Sequence, residues 1–527
     1  MQLGFALNTK VETIEIQSDQ QVYVAGEVAW INGRFEGTVP SKFIEVYLID
    51  RTGSEKASVT LLNQGSRFSG YIELPKEIRT DFYFLECSIK GISTRSMIVP
   101  IMIIHPSYPP TFCEVKATSL NNNQSRLAKN VSISGNKTFP TRGLVSMSLS
   151  GIDNLSDISI NVVREDLLSV YADSVISSYN LFADHLAKGD LESEGHQVTA
   201  RVLSNETGMP VKGISVHASI MGHQANISHG ISNERGEIKF LFSPVVDETR
   251  IVFSLSPTDS KKVKVEMLDE SIIHDPISFP CISLRSEMKH DIEERLLNVN
   301  VMRQFGLKQI SADANLTLDT TDFYGKPDVR YILDNYVRFP DMREILFEFV
   351  PEVRLRKAND DSTILVEVLN DPYKKYFSES AFVLLDGIPI QNINELLEFN
   401  PLKLKSIDVV SRLYYLSDLH LSGIVNYKSY TKDIAGFTLT PAEVIYPFKG
   451  TQGFPIPIFK NHKALEKSGL PDMRNLLYRQ LGSSQSGKGV ATINFYASDS
   501  KGNFKFRVQG RDESGNMVIG TTTFSVF

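Results

Sequence analysis

The residues best suited to metal or acid–base chemistry gather in one part of this sequence: His217, His223 and His229, with His196 just upstream. Imidazoles hold zinc or copper only when several converge at ligand spacing. If 214–220 is a strand, Ile214, Val216, Ala218 and Ile220 take its buried face and His217 points outward. The same alternation puts Ile227, His229 and Ile231 on an inward face of the next run, so the histidines are expected to diverge. No HxxxH pair compensates, and no metal-ligand set follows. The segments 499-DSKGN-503 and 512-DESGN-516 carry carboxylates but lack the alternating Asp/Asn run of a calcium loop. They read as β-hairpin turns centred on Lys501-Gly502 and Ser514-Gly515, where glycine supplies a positive φ. Asp360-Asp361 reads as solvated charge in a polar loop.

Nucleophilic chemistry finds no better support. There is no GxSxG elbow, no P-loop and no GxGxxG run after a strand. Cys87, Cys113 and Cys281 stand in the contexts LECSI, TFCEV and FPCIS, with no CxxC spacing. They read as small buried hydrophobes, and an odd number of separated cysteines cannot form a complete disulfide framework. Neither catalytic residues, nor a cofactor, nor a metal site is therefore expected, and the chain is read as non-enzymatic. What remains is binding, positioning or blocking.

The chain has 527 residues, 42% hydrophobic and 22% charged, with a net charge of −7. That length suggests several domains with full-sized cores. The acidic balance, spread along the chain, argues against a nucleic-acid partner, since phosphate binding needs a basic face. No run reaches the ~18 apolar residues of a spanning helix, so no direct membrane span is expected. The longest apolar run, 97-MIVPIMII-104, is broken by Pro100 and reads as a strand and linker. The opening MQLGFALNTK lacks the features of a secretion signal, so either the protein is cytosolic or a signal peptide has been removed, and the resemblances described below favour removal.

Short alternating runs such as 20-QQVYVAGEVAW-30, 43-FIEVYLID-50 and 81-DFYFLECSI-89 predict a β-sandwich. With 68-FSGYIELP-75 and the Asp50-to-Gly53 turn, this part resembles macroglobulin-type domains. The runs 137–151 and 158–166 look like a second unit of that type. Residues 167–187 place Leu168, Tyr171, Val175, Tyr179, Phe182 and Leu186 at helical spacing, predicting an amphipathic helix or paired turns. The stretch 195–242, with Gly195, Thr207, Gly208, Pro210, Gly213 and Gly236, resembles the carboxypeptidase-regulatory-like Ig sandwich. Its glycines mark turns rather than chemistry. Periodicity leaves 285–305 open between helix and strand, and 328–356 reads as two helical stretches interrupted at Pro340.

The hairpin 382-FVLLDGIPI-390, the helix 392–399 and the strands of 401–430 resemble the plug domain of TonB-dependent receptors. Asp386, Gly387, Pro389, Ile407, Val409, Gly423 and Ile424 carry the match. The glycine-rich run usual before the last plug strand is replaced here by 414-YYLSDLHLSG-423. The expected fold class is mainly β: tandem macroglobulin/Ig-like sandwiches with a small α+β plug-like domain. The bounds expected are 1–110 and 111–190 for two macroglobulin-type sandwiches, the second with a helical tail, and 191–270 for the regulatory-like sandwich. A connecting strand or helix at 271–310, the plug-like domain at 311–435 and a β segment at 436–527 completing a macroglobulin-type sandwich follow.

This arrangement resembles large Bacteroidota surface and periplasmic proteins. The resemblance implies a periplasmic protein, peripheral to the outer membrane, that plugs or gates a β-barrel formed by another chain in a multi-subunit complex. The type IX secretion translocon is the barrel that fits best. An accessory role in TonB-dependent uptake is the alternative, followed by a macroglobulin-like protease inhibitor without the thioester. The residues expected at the contact are Asp386, Gly387, Tyr414, Tyr415, Leu416, Asp418 and His420.

Overall fold

The computed structural model describes residues 12–35, 41–108, 129–152, 155–187, 189–222, 227–246, 248–256, 258–268, 272–305, 321–358, 364–416, 419–439, 443–453, 455, 469–482, 490–512 and 517–527. His223, Asp360, Asp361, Cys113, Asp418 and the Ser514-Gly515 turn lie outside them.

Period-two alternation gives the expected outcome: the chain is mainly β, built as three sandwiches and one α+β domain. In the first sandwich, strand Thr94–Ile104 belongs to both layers. Its first half pairs with Glu12–Ser18 and Leu181–His185, and its second half with Asp81–Ser88. Pro100 therefore sits inside a strand, opposite Phe84, rather than ending one. Ile14, Ile31, Val46, Leu85 and Ile101 form the core between the layers.

The second sandwich joins distant parts of the chain. Strand Ser156–Glu165 lies between Leu476–Gly482 and Gly502–Arg511, while Leu144–Ser150 pairs with Val490–Tyr496 in the facing sheet. The expected Lys501-Gly502 hairpin is therefore corrected. The strands on its two sides belong to different layers, so the segment crosses between sheets. Asp499 is held there by Arg142, at 2.6 Å from two guanidinium nitrogens.

In the third sandwich, His196–Ser204 is flanked by Glu237–Phe242 and Val263–Met267. The facing sheet orders Ile227–Ile231, Ser215–Ile220, Thr249–Leu255 and a late arrival, Glu443–Phe448.

Three connectors depart from or resolve the sequence reading. Residues 167–187 split into helix Leu167–Ile176, N-capped by Asp166, and strand Leu181–His185. Both dock on the first sandwich, where Leu168 and Ala172 reach Phe82 and Met102. The edge of that sandwich offered the second half a ladder of hydrogen bonds, which outweighs its helical spacing. Residues 289–304 form a helix between the first two sandwiches, with Arg295 buried against Asp166 at 2.5 Å and against Ser169 Oγ at 2.8 Å. The first expected helix of 328–356 is instead strand Val329–Ile332, added to the edge of Leu404–Leu416 and followed by a single 3-10 turn at Leu333–Asn335, while Met342–Phe349 is an α-helix. A β-branched run beside an open sheet edge finds backbone partners there that a short solvent-facing helix lacks.

Candidate partner-facing site

The α+β domain is built on the antiparallel pair Leu404–Leu416 and Leu419–Ser429, with Phe382–Leu385 running parallel to the second strand. Leu384 pairs with Pro389 and Leu385 with Ile388, leaving Asp386-Gly387 as a two-residue loop. Both residues have positive φ, 50° and 83°, the pattern of a type I′ turn that matches strand twist. Opposite stands a second layer of Val353–Lys357, Ile364–Asn370 and Lys375–Tyr376, with helices Met342–Phe349 and Ile393–Glu398 closing the core.

The expected contact residues separate once folded. Asp386 is fully buried, and its carboxylate accepts from Ser429 N (2.8 Å), Ser429 Oγ (2.6 Å) and Ile434 N (2.8 Å). Gly387 packs within the same buried turn. Asp386 and Gly387 are thus corrected from contact residues to an internal clasp. A carboxylate at this left-handed turn position is placed to take the N–H groups of Ser429, at the end of Leu419–Ser429, and of Ile434, in the 3-10 turn beyond it. Tyr414 is half-buried and donates its hydroxyl to Phe323 O (2.6 Å), and Leu416 packs beside Leu419. Tyr415 is 68% exposed and His420 is exposed, so these two stay available.

A polar network fixes the sheet that presents them. Asp408, nearly fully buried, accepts from Arg330 (2.6 Å), Lys428 (2.8 Å) and Tyr324 Oη (3.0 Å). These cations hold its carboxyl below the ordinary range although burial alone pushes it up. Such pairing offsets the cost of burying the charge, because both cations and the Tyr324 hydroxyl satisfy its oxygens.

Other side chains of this domain are exposed as well. Phe347 is 85% exposed on its helix, and Tyr373 and Val337 are also open to solvent. Beside Phe347 lies a groove of about 670 Å³ lined by Leu346, Val350, Leu355, Arg343 and Arg354. The pattern 353-VRLRK-357, with cations at every second position, was the available signal of an edge strand.

Titratable groups converge elsewhere, between the sandwiches. Glu86 is buried with its carboxylate 2.5 Å from His185 Nε2 and 3.2 Å from His274 Nδ1. Burial opposes its charge, but the hydrogen bonds from both histidines hold its pKa at about 2. This group ties strand Leu181–His185 and the passing segment at His274 to the first sandwich. A cleft of about 530 Å³ lies alongside, between the first and third sandwiches, lined by Glu45, Lys90, Glu192 and Tyr446 among others.

The histidine reading is corrected too. His217 and His229 are direct cross-strand partners, and their rings lie 4.9 Å apart on one face. The register pairs the strands so that both histidines share the side opposite Val216 and Ala218, with His217 against Phe382. Burial, then the neighbouring His229, lowers the pKa of His217 to about 4. Among the described residues, no group of three or more His, Cys, Asp or Glu is placed to hold a metal. The cysteines are corrected in part: Cys87 is free and buried, whereas Cys281 is disulfide-bonded.

No family model matches the chain, and no curated protein does. Among solved structures it is similar to the native alpha-2-macroglobulin of E. coli, at 10% identity and a TM-score of 0.22, over 98% of this chain and 40% of that one. Salmonella alpha-2-macroglobulin reacted with methylamine gives 9% identity and 0.23, with the same coverage of 98% and 40%. A tetra-tandem repeat from the extending region of a large adhesion protein gives 7% and 0.15, over 98% of this chain and 99% of that one. The chain thus spans less than half the length of the bacterial macroglobulins it is similar to.

Proposed function

We propose that this chain is a non-enzymatic periplasmic protein whose α+β domain engages and gates an outer-membrane β-barrel formed by another chain. The observation that carries this reading is how the domain is displayed. The chain leaves the sandwiches after helix 289–304, forms the domain, and returns as Glu443–Phe448 in the third sandwich and Thr451–Gln452 in the first. Anchored at both ends, it exposes Phe347, Tyr373 and Tyr415. Exposed aromatic side chains on a rigid frame suit protein contacts. The described strands that follow the domain complete the second and third sandwiches and the edge of the first. The disulfide at Cys281 supports an oxidising compartment.

The barrel of the type IX secretion translocon is the partner proposed. Affinity purification of the full chain from outer membranes, followed by mass spectrometry, tests this. A large barrel is expected to co-purify and to be lost when residues 322–439 are replaced by a short linker. Deletion of the chain should also let large solutes cross the membrane. Retention of the barrel by the shortened protein, or an unchanged permeability, overturns the reading.

A further inference from the structure

We propose that the open edge of strand Val353–Lys357 is a strand-addition site for an extended partner segment in which carboxylates alternate with apolar residues. The proposal rests on the α+β domain being the partner-facing part of the chain, but does not require the partner to be a barrel.

Strand Val353–Lys357 pairs only with Ile364–Asn370 among the described residues, with Val353 opposite Val368 and Leu355 opposite Val366. Val366 donates its N–H to Ser380 Oγ (3.2 Å), and its carbonyl accepts from Ala381 N (2.6 Å). The Val368 carbonyl accepts from Phe377 N (3.0 Å) on the same side. Both valines thus direct their backbone groups away from Val353–Lys357. In an antiparallel ladder, residues opposite such positions point outward on the other side. Leu355 and Val353 therefore face the open edge. Val353 N–H is satisfied by Val350 O at 3.0 Å, which leaves the Val353 carbonyl and both groups of Leu355 facing outward. A row of unpaired backbone groups is what an added strand recognises.

The side chains select the occupant. On the core side, the groove of about 670 Å³ offers Leu346, Phe347, Val350 and Leu355 to apolar side chains, with Arg343, Glu344, Glu348 and Arg354 also in its lining. On the other side, exposed Arg354 and Arg356 grip Glu367 of the inner strand at 2.6 and 2.5 Å. An incoming strand meets these guanidiniums from the side opposite Glu367, where carboxylates extend the same alternation of charge. A second copy of this chain would instead set VRLRK against VRLRK, cation against cation. Edge cations alone are explained as a guard against aggregation. A guard does not explain a ring such as Phe347, 85% exposed beside a groove of about 670 Å³.

The test uses the full chain and a labelled, end-blocked peptide of ten residues alternating Glu and Val, followed by fluorescence anisotropy. Saturable binding is expected, weakened about tenfold when Lys replaces Glu or when alternate amides are N-methylated, a loss of about 1.4 kcal/mol. Phe347→Ala removes an exposed ring and should weaken binding about fivefold with the thermal midpoint unchanged. Leu355→Pro removes an edge N–H that makes no ladder bond and should act in the same direction. Absence of saturable binding, equal binding of the Lys peptide, or an indifferent Phe347→Ala overturns the proposal. Self-association that Phe347→Ala abolishes would give the edge to a second copy and overturn it as well. Barrel co-purification with a negative peptide result sinks only this proposal. Peptide binding without a barrel sinks only the barrel reading.

Discussion

Asp386 sits in a tight turn with its carboxylate saturated by three donors from Ser429 and Ile434. Replacing it with Ala strands those donors in a buried site. Asp386→Ala is therefore expected to cost about 3 kcal/mol in urea unfolding, and Asp386→Asn less, because one oxygen remains. Buried titratable groups set the response to acid. The Glu86 carboxyl, at about 2 in the fold against an ordinary 4.5, stabilises the fold when ionised. Its contribution is complete above pH 4.5 and is lost as pH falls toward 2. His196 and His217 are held neutral by burial, at about 3 and about 4 against an ordinary 6.5. Below pH 6.5 the unfolded chain binds protons that these folded sites refuse, so stability falls from there downward. The urea midpoint should thus decline on acidification in two stages. His217→Phe should flatten the slope between pH 6.5 and 4, and Glu86→Gln the slope below 4.5. An unchanged profile in His217→Phe would mean its ring is hydrated in solution.

At the scale of elements, the pair Leu404–Leu416 and Leu419–Ser429 bends where its register shifts, between Val410 and Leu413. Gly423 lies in that bend with φ 85°, and a Cβ added there would sit 2.7 Å from Val368 Cβ. Gly423→Ala meets both strained backbone and overpacking, and should destabilise the α+β domain by about 2 kcal/mol or more in thermal unfolding. The sequence carried this position in its plug-like pattern, and carried the Asp386-Gly387 turn, because both depend on local backbone conformation. It misjudged elements whose state depends on a neighbour. Leu181–His185 has helical spacing yet forms a strand on Thr94–Ile104, and Val329–Ile332 is drawn to the edge of Leu404–Leu416. Phe347 was invisible as a site residue, since exposure on a short helix is set by what packs on its other face.

Across the molecule, helix 289–304 and the polar groups around it join the first two sandwiches. Arg295, buried, meets Asp166 at 2.5 Å and Val22 O at 3.2 Å, while Asn298 donates to Asn475 Oδ1 and Ser500 Oγ. One helix thus contacts strands from both ends of the chain. Arg295→Met leaves buried Asp166 with only Arg164, at 3.7 Å, as its cation, at a cost of about 3 kcal/mol. Calorimetry should then show the two sandwiches melting apart instead of in one transition; a single unshifted transition would mean that the apolar contacts alone hold the junction. The second sandwich makes a related prediction. Truncation after residue 470 removes Leu476–Gly482, Val490–Tyr496, Gly502–Arg511 and Met517–Val526. It exposes Ile160, Val162 and Val145, and the product is expected in the insoluble fraction.

The sequence alone determined the mainly β class, most strand positions and the turn at Asp386-Gly387. Alternation of period two and the φ demands of tight turns are written in consecutive residues. Only the tertiary structure decided that Ser156–Glu165 lies between strands more than 300 residues away, and that His217 faces His229. It also decided that Asp386 is sealed inside while Phe347 and the edge of Val353–Lys357 are open. Pairing register and burial depend on which surfaces meet, and a single strand's alternation is equally satisfied by many partners.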